Sequence, residues 1–180
     1  MSLLKNGEIV ADPWTALPEG AAPEGDVIVS LEQWQADRET LRAHNGRLGL
    51  RLKSDQSPAD LAGDLDRFDL IALEFPRFGD GRAYSYARLL RERYGFTGEL
   101  RAVGNVLRDQ LLFMLRCGFD AFEIDGKASG QDAVAAWQDA VTEIAVFYQP
   151  TGDGRRTASA LRRGVGNVEN GKAAAGTGEA

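Results

Sequence analysis

Short apolar runs recur along the chain, and each is followed by residues with helical spacing. Val27-Ile28-Val29 precedes Ser30, which with Gln33 makes a capping-box signal for a helix over 31–44. Leu48 to Leu52 precedes Ser57-Pro58, an N-cap with proline at the first helical position, and predicts a short helix over 58–65. Leu70 to Phe75 leads through a loop into a helix over 82–94. Leu100 to Val103 leads through Gly104-Asn105 into a helix over 106–116, and Ala121 to Ile124 leads into one over 132–144. A last run, Ala145 to Tyr148, reads as a sixth strand. Ahead of these units, residues 3–10 read as a hairpin turning on Asn6-Gly7. Residues 11–25, with three prolines and two glycines, read as an irregular connection.

This alternation predicts an α/β fold, with successive βα units forming a mostly parallel sheet under packed helices. The near-continuous apolar strands point to cover on both sheet faces. Eight units would close a barrel and five or six are present, so a partial (β/α) barrel, one completed by another chain, and an open sheet all fit. Beyond Pro150 the composition shifts to seven glycines and six alanines with no aromatic residue. Such a segment buries too little to offset its ordering entropy. A single α/β domain over 1–149 and a disordered tail over 150–180 are therefore expected. The doublets Arg155-Arg156 and Arg162-Arg163 are the tail's candidate contacts with an acidic partner or a neighbouring subunit.

Composition narrows the function classes. No apolar run approaches bilayer length, and the N-terminus lacks a signal-peptide pattern, so a soluble cytoplasmic protein without membrane contact is expected. The one cysteine, Cys117, excludes an internal disulfide or a cysteine-ligated cluster within one chain, and the one histidine, His44, excludes a histidine-rich metal site. No dinucleotide or P-loop fingerprint follows a strand, so no cofactor and no resident metal are expected. The net charge of −6 argues against nucleic acid as a partner.

That charge is unevenly spread. Residues 77–116 carry eight arginines, no lysine and four acids, a local +4 that leaves −10 for the remainder. A guanidinium grips an oxyanion at two points, whereas an ammonium offers one point charge. Ligands in parallel α/β folds gather beyond the C-terminal ends of the strands, which selects three loops here. The richest runs from Glu74 to Ser85. In it Arg77 and Arg82 flank an opening where Gly79 and Gly81 expose backbone donors, Asp80 stands beside them, and Ser85 adds a hydroxyl. The second holds Arg101, Asn105 and Asp109, with Asn105 most simply an N-cap, and the third holds Asp125. Together Arg77, Gly79, Asp80, Gly81, Arg82, Ser85, Arg101, Asn105 and Asp109 describe a candidate pocket for a small oxyanion. Glu74 and Asp125 end neighbouring strands and are candidate acid/base groups, better suited to magnesium than to zinc were a metal present. Cys117 reads as a packed thiol before a glycine C-cap, and His44 as a solvated helix-end residue. The helix over 106–116 is apolar all round at 111–115, which hints at burial against a partner, self-association among the options.

The same loops resemble a bacterial domain-of-unknown-function family, number 934, loosely labelled "oxidoreductase". The stretches that carry the resemblance are Phe75-Pro76-Arg77-Phe78, Asp80-Gly81-Arg82-Ala83-Tyr84-Ser85, Ala87-Arg88-Leu89-Leu90-Arg91, Gly98 to Gly104, Val106 to Gln110 and Arg116 to Phe122. The resemblance covers roughly residues 1–150. It implies a setting, since such genes commonly lie beside those for assimilatory sulfite reductase and sulfate activation. It carries over no catalytic residue. An electron-carrying cofactor would have to belong to a partner. The expectation is an accessory protein of sulfate or sulfite reduction that binds sulfite reductase or a small sulfur oxyanion at the arginine-rich loops. The alternative is a stand-alone enzyme acting on a small anionic metabolite, with Glu74 or Asp125 as its acid/base.

Overall fold

A computed structural model describes residues 2–124 together with 134, 135, 137 and 138, with Arg108 described by its backbone alone. All of these belong to the first of the chain's two units, Met1–Ala140. The expected strand 145–148, the domain boundary at 149 and the tail 150–180 lie outside the described residues.

Eight strands form one mostly parallel, curled sheet, a half-barrel. In chain order the strands are β1 (Ser2–Lys5), β2 (Glu8–Val10), β3 (Thr15–Ala16), β4 (Val27–Ser30), β5 (Leu48–Leu52), β6 (Leu70–Phe75), β7 (Glu99–Gly104) and β8 (Ala121–Ile124). Their spatial order is β2-β1-β8-β7-β6-β5-β4-β3. Neighbours from β3 to β8 are parallel, and the β1–β2 hairpin closes the other end by pairing antiparallel with β8, Ser2 opposite Ile124. The helices are α1 (Leu31–Ala36), α2 (Arg38–Ala43), α3 (Arg82–Arg88) and α4 (Leu111–Cys117). The α/β expectation and the N-terminal hairpin both hold. Asn6 and Gly7 take the positive φ values, 52° and 84°, that a two-residue turn between right-twisted strands demands.

Local signals set the starts of the elements. Ser30 Oγ accepts the Gln33 N–H while Gln33 Oε1 accepts the Ser30 N–H, so both bonds of the capping box form. The helix expected over 31–44 breaks at Asp37 (φ −135°, ψ 45°), a residue type that competes with the helical backbone. The helix expected over 58–65 is reduced to two 3-10 turns, Pro58–Leu61 and Leu65–Arg67. Between them Gly63 loosens the backbone, and the buried carboxylate of Asp64 is held by the guanidiniums of Arg38 and Arg42. The helix over 82–94 switches after Arg88 to a π turn over Leu89–Arg93. That over 106–116 opens as a 3-10 turn at 108–110. Among residues 132–144, Val134, Ala135, Trp137 and Gln138 are helical, and Trp137 lies against the hairpin turn at Gly7.

The two sheet faces differ, which corrects the expectation of apolar cover on both. Along β6, Ile71, Leu73 and Phe75 join the main core with Leu50, Leu100, Trp34, Leu90 and Met114 under the helices. The opposite face holds a small cluster of Leu70, Ala72, Val103 and Trp14. Arg51, Glu74, Glu99, Arg101 and Glu123 stand on that side, tied to one another as ion pairs. The segment between β2 and β4 was expected to be irregular. It is so over most of its length, and within it Thr15–Ala16 add a two-residue parallel strand to β4.

Candidate functional site

The turn from β6 to α3, residues 76–81, stands at the C-terminal end of the sheet and is braced at both ends. At its entry the Phe75 carbonyl accepts the Asn105 N–H at 2.7 Å, tying the β6 turn to the β7 turn. At its exit Asp80, with its side chain only 6% exposed, accepts the Arg82 backbone N–H at 3.2 Å and its guanidinium at 3.0 and 2.6 Å. Arg82 Nη2 also donates to Ser54 Oγ at 3.0 Å, just beyond β5. The hydrogen bonds from Arg82 hold the Asp80 carboxyl well below the usual carboxylate range. A carboxyl with a lowered folded pKa stabilises the fold above its unfolded value and loses that contribution as the pH falls through the folded one. The carbon chemical shift of Asp80 is therefore expected to remain that of a carboxylate while ordinary aspartates titrate. Titration in step with them would mean that this clip opens in solution.

The expected convergence of arginines does not occur, because Arg88, Arg91 and Arg101 find carboxylates elsewhere. Arg101 lies within β7, fully buried, with its guanidinium gripping Asp12 at 2.7 and 3.1 Å and Glu99 at 2.8 Å, and with Glu123 at 3.6 Å. Burial in an apolar sheet demands such partners, so Arg101 leaves the candidate pocket. Arg88 pairs with Glu92 one turn on, and Arg91 reaches Asp120. Arg93 stacks on Tyr94. Arg77 is exposed and forms no ion pair with any described residue. Arg82, 52% exposed, keeps an open flank although Asp80 holds it.

The remaining expected residues are scattered around the same rim. Gly79 and Gly81 both sit in the exposed turn, yet neither adopts positive φ, and a Cβ at Gly79 would meet nothing within 4 Å. The protein's own packing does not require glycine there. Ser85 is exposed one turn into α3, and Asp109 is exposed within the 3-10 turn at 108–110. Asn105 is not an N-cap. Its N–H is spent on Phe75, and α4 begins only at Leu111 with Gln110 as the cap residue. The glycine that this turn does require is Gly104, at φ 88°, where a Cβ would stand 2.6 Å from the Phe75 carbonyl oxygen. Glu74 faces away from the helices and pairs with Arg51 at 3.3 Å. Asp125 lies outside the described residues. Cys117 is buried and its thiol is pushed up by that burial, consistent with a packed rather than a nucleophilic cysteine. Gly118 takes the left-handed C-cap, φ 102°. His44 is not merely solvated, since its Nε2 lies 2.7 Å from the Gly25 carbonyl.

Two features were not part of the expected site, although an outward apolar face on the helix over 106–116 was expected. The first is apolar: Phe78 at 64%, Leu107 at 36% and Phe113 at 54% are exposed on the β6 turn, the β7 turn and α4. The all-apolar stretch of α4 resolves accordingly, with Leu111 and Met114 buried, Leu112 and Leu115 half-buried on the core, and only Phe113 turned out. Phe113 leans on Tyr84 of α3, ring centroids 4.7 Å apart. Consecutive apolar letters give no sign of which one faces water. The second is a groove of about 920 Å3 between residues 17–23 and α1–α2, at the C-terminal ends of β4 and β5. On its wall Glu32 is held by Lys53, whose hydrogen bond lowers its pKa to about 2. Among the described residues no group of three or more metal-ligating side chains is assembled, and no helix is long and apolar enough to cross a membrane.

No curated protein matches the chain. A family model does, over residues 49–159, which takes in β6 to β8, all of β5 but Leu48 and the whole braced rim, and leaves out the hairpin and Asp12. With well over half of the sequence matched, the chain belongs to the family described as bacterial protein of unknown function DUF934.

Proposed function

We propose that this chain is a cytoplasmic accessory protein of assimilatory sulfate or sulfite reduction, binding the reductase or a small sulfur oxyanion at the rim formed by the β6 and β7 turns. The sulfur setting rests on the family resemblance. The binding reading rests on the rim. The observation that carries it is Arg77, an exposed guanidinium without an ion pair among the described residues, held on a turn braced by Asp80, Arg82 and Ser54. The chain as a whole is acidic, at −6, so an open cation fixed at the strand C-terminal ends is a specific anchor for a carboxylate, sulfite or sulfate. A rigid presentation limits the entropy lost on binding.

The arrangement favours binding over catalysis. An acid/base group must reach the reacting atom inside a site that excludes water. Asp80 is committed to Arg82, and Glu74 is committed to Arg51 on the face turned away from the helices. Neither of these two carboxylates is therefore free to serve the enzyme alternative.

Calorimetry with sulfite, with sulfate and with purified sulfite reductase tests the proposal. Arg77→Ala is expected to weaken binding of the true ligand by about tenfold, the worth of one charge-assisted contact. Arg77 is exposed, so the variant should fold normally. Unchanged affinity for all three, or no binding of any by the wild type, would remove the rim from the function.

A further inference from the structure

The rim offers more apolar surface than an oxyanion can use. Phe78, Leu107 and Phe113, three of the four large hydrophobic side chains exposed among the described residues, stand on adjacent βα turns and the helix that follows. The turns are physically joined, since the Asn105 N–H donates to the Phe75 carbonyl. Phe113 is backed by Tyr84, which packs in turn on buried Phe75 with ring centroids 4.9 Å apart. Phe113 is thus held in place while still 54% exposed.

Isolated exposed apolar residues need no explanation, but several at one end of a fold, beside a fixed cation, have the composition of an interface centre. Aromatic and arginine side chains on braced backbone dominate protein–protein binding energy. A sulfite or sulfate ion would meet Arg77 and leave all three hydrophobic groups wet.

The geometry points to a protein partner, one presenting a carboxylate flanked by apolar side chains. The carboxylate meets Arg77, and the apolar residues cover Phe78 and Phe113. This deepens the binding reading of the same rim and rests on it. Charge complementarity fixes the occupant's sign, because the exposed guanidinium of Arg77, which forms no ion pair with any described residue, demands an acid. In the same assignment Asp80, Arg82 and Ser54 are positioning residues that hold the turn and touch no ligand.

A phage-displayed library of random twelve-residue peptides, panned on the full chain, supplies a probe independent of the reductase. Selected peptides are expected to place Asp or Glu within a few residues of Leu, Phe or Trp. Their affinity should fall at least tenfold with Phe78→Ser, with Phe113→Ser and with Arg77→Ala. All three positions are exposed, and unchanged melting temperatures verify that the variants fold. Failure to select any peptide, or selected peptides that bind the three variants as they bind wild type, would overturn the inference. So would sulfite binding at Arg77 with no peptide selected, which would leave an oxyanion site only. The two proposals fail separately. Peptide binding without reductase binding sinks the sulfur reading alone, whereas reductase binding untouched by Phe78→Ser and Phe113→Ser sinks the protein-docking surface alone.

Discussion

Replacing Arg101 with methionine is expected to cost about 3–5 kcal/mol of folding stability, the usual consequence of removing one member of a buried ion network. The guanidinium is fully buried and spans three carboxylates, those of Asp12, Glu99 and Glu123. Without it Glu99 keeps Lys5 at 2.6 Å, while Asp12 and Glu123 lose every cation shown beside them. Methionine matches the length and none of the charge, so the carboxylates stay partly desolvated and unanswered. Urea denaturation measures the effect, and a midpoint lower by roughly 1–3 M is expected at ordinary slopes. Adding Asp12→Asn and Glu123→Gln should return part of the loss, since those groups then carry no charge to strand. A variant within about 0.5 kcal/mol of wild type would show that this network contributes little.

Arg91→Ala is the second large effect, expected to cost about 2–4 kcal/mol through lost charge-assisted bonds to backbone carbonyls. Its guanidinium donates to the carbonyls of Phe96 at 2.6 Å, Gly98 at 2.9 Å and Gly118 at 3.0 Å, and to Asp120 at 2.8 Å. One side chain thus joins the end of the π turn to the entries of β7 and β8. The π geometry over Leu89–Arg93 sets where that side chain leaves the helix, a structural use of an irregularity that often marks ligand sites. Arg91→Lys should recover little, because a single ammonium cannot span acceptors at the entries of both β7 and β8. The same denaturation series checks it. Equal stability of the lysine variant and wild type would refute the clamp.

Much of the frame was legible because its causes are local. The capping box at Ser30 and Gln33 needs only residues three apart, and the hairpin needs only Asn6-Gly7 between strands. The parallel strands announced themselves as apolar runs, and the general rule for ligands in such folds selected the rim. The destinations of the arginines were not legible. Arg101 meets Asp12 across 89 positions, Arg91 meets Asp120 across 29, and Arg82 meets Ser54 across 28. A count of guanidiniums in a stretch says that charge must be satisfied and is silent on which acid satisfies it. The strand Thr15–Ala16 was hidden for a similar reason, since two residues carry no period and are recruited by β4. Among the candidate site residues, Arg77 and Arg82 stayed at the rim because the β6 turn places them there. Arg101 left it because alternation along β7 turns it onto the sheet face opposite the helices.

The pairing of β1 with β8 bears on the order in which the molecule assembles. Ser2 is matched with Ile124, so the hairpin emerges from the ribosome more than a hundred residues before the strand that receives it. Strands β4 to β7 find their neighbours within much shorter loops and complete a sheet border while the hairpin still waits. Closure over so long a separation is slow relative to local pairing. Release from ribosomes stalled shortly before Ala121 should thus yield nascent chains whose first ten residues stay open to protease while the middle of the sheet is already protected.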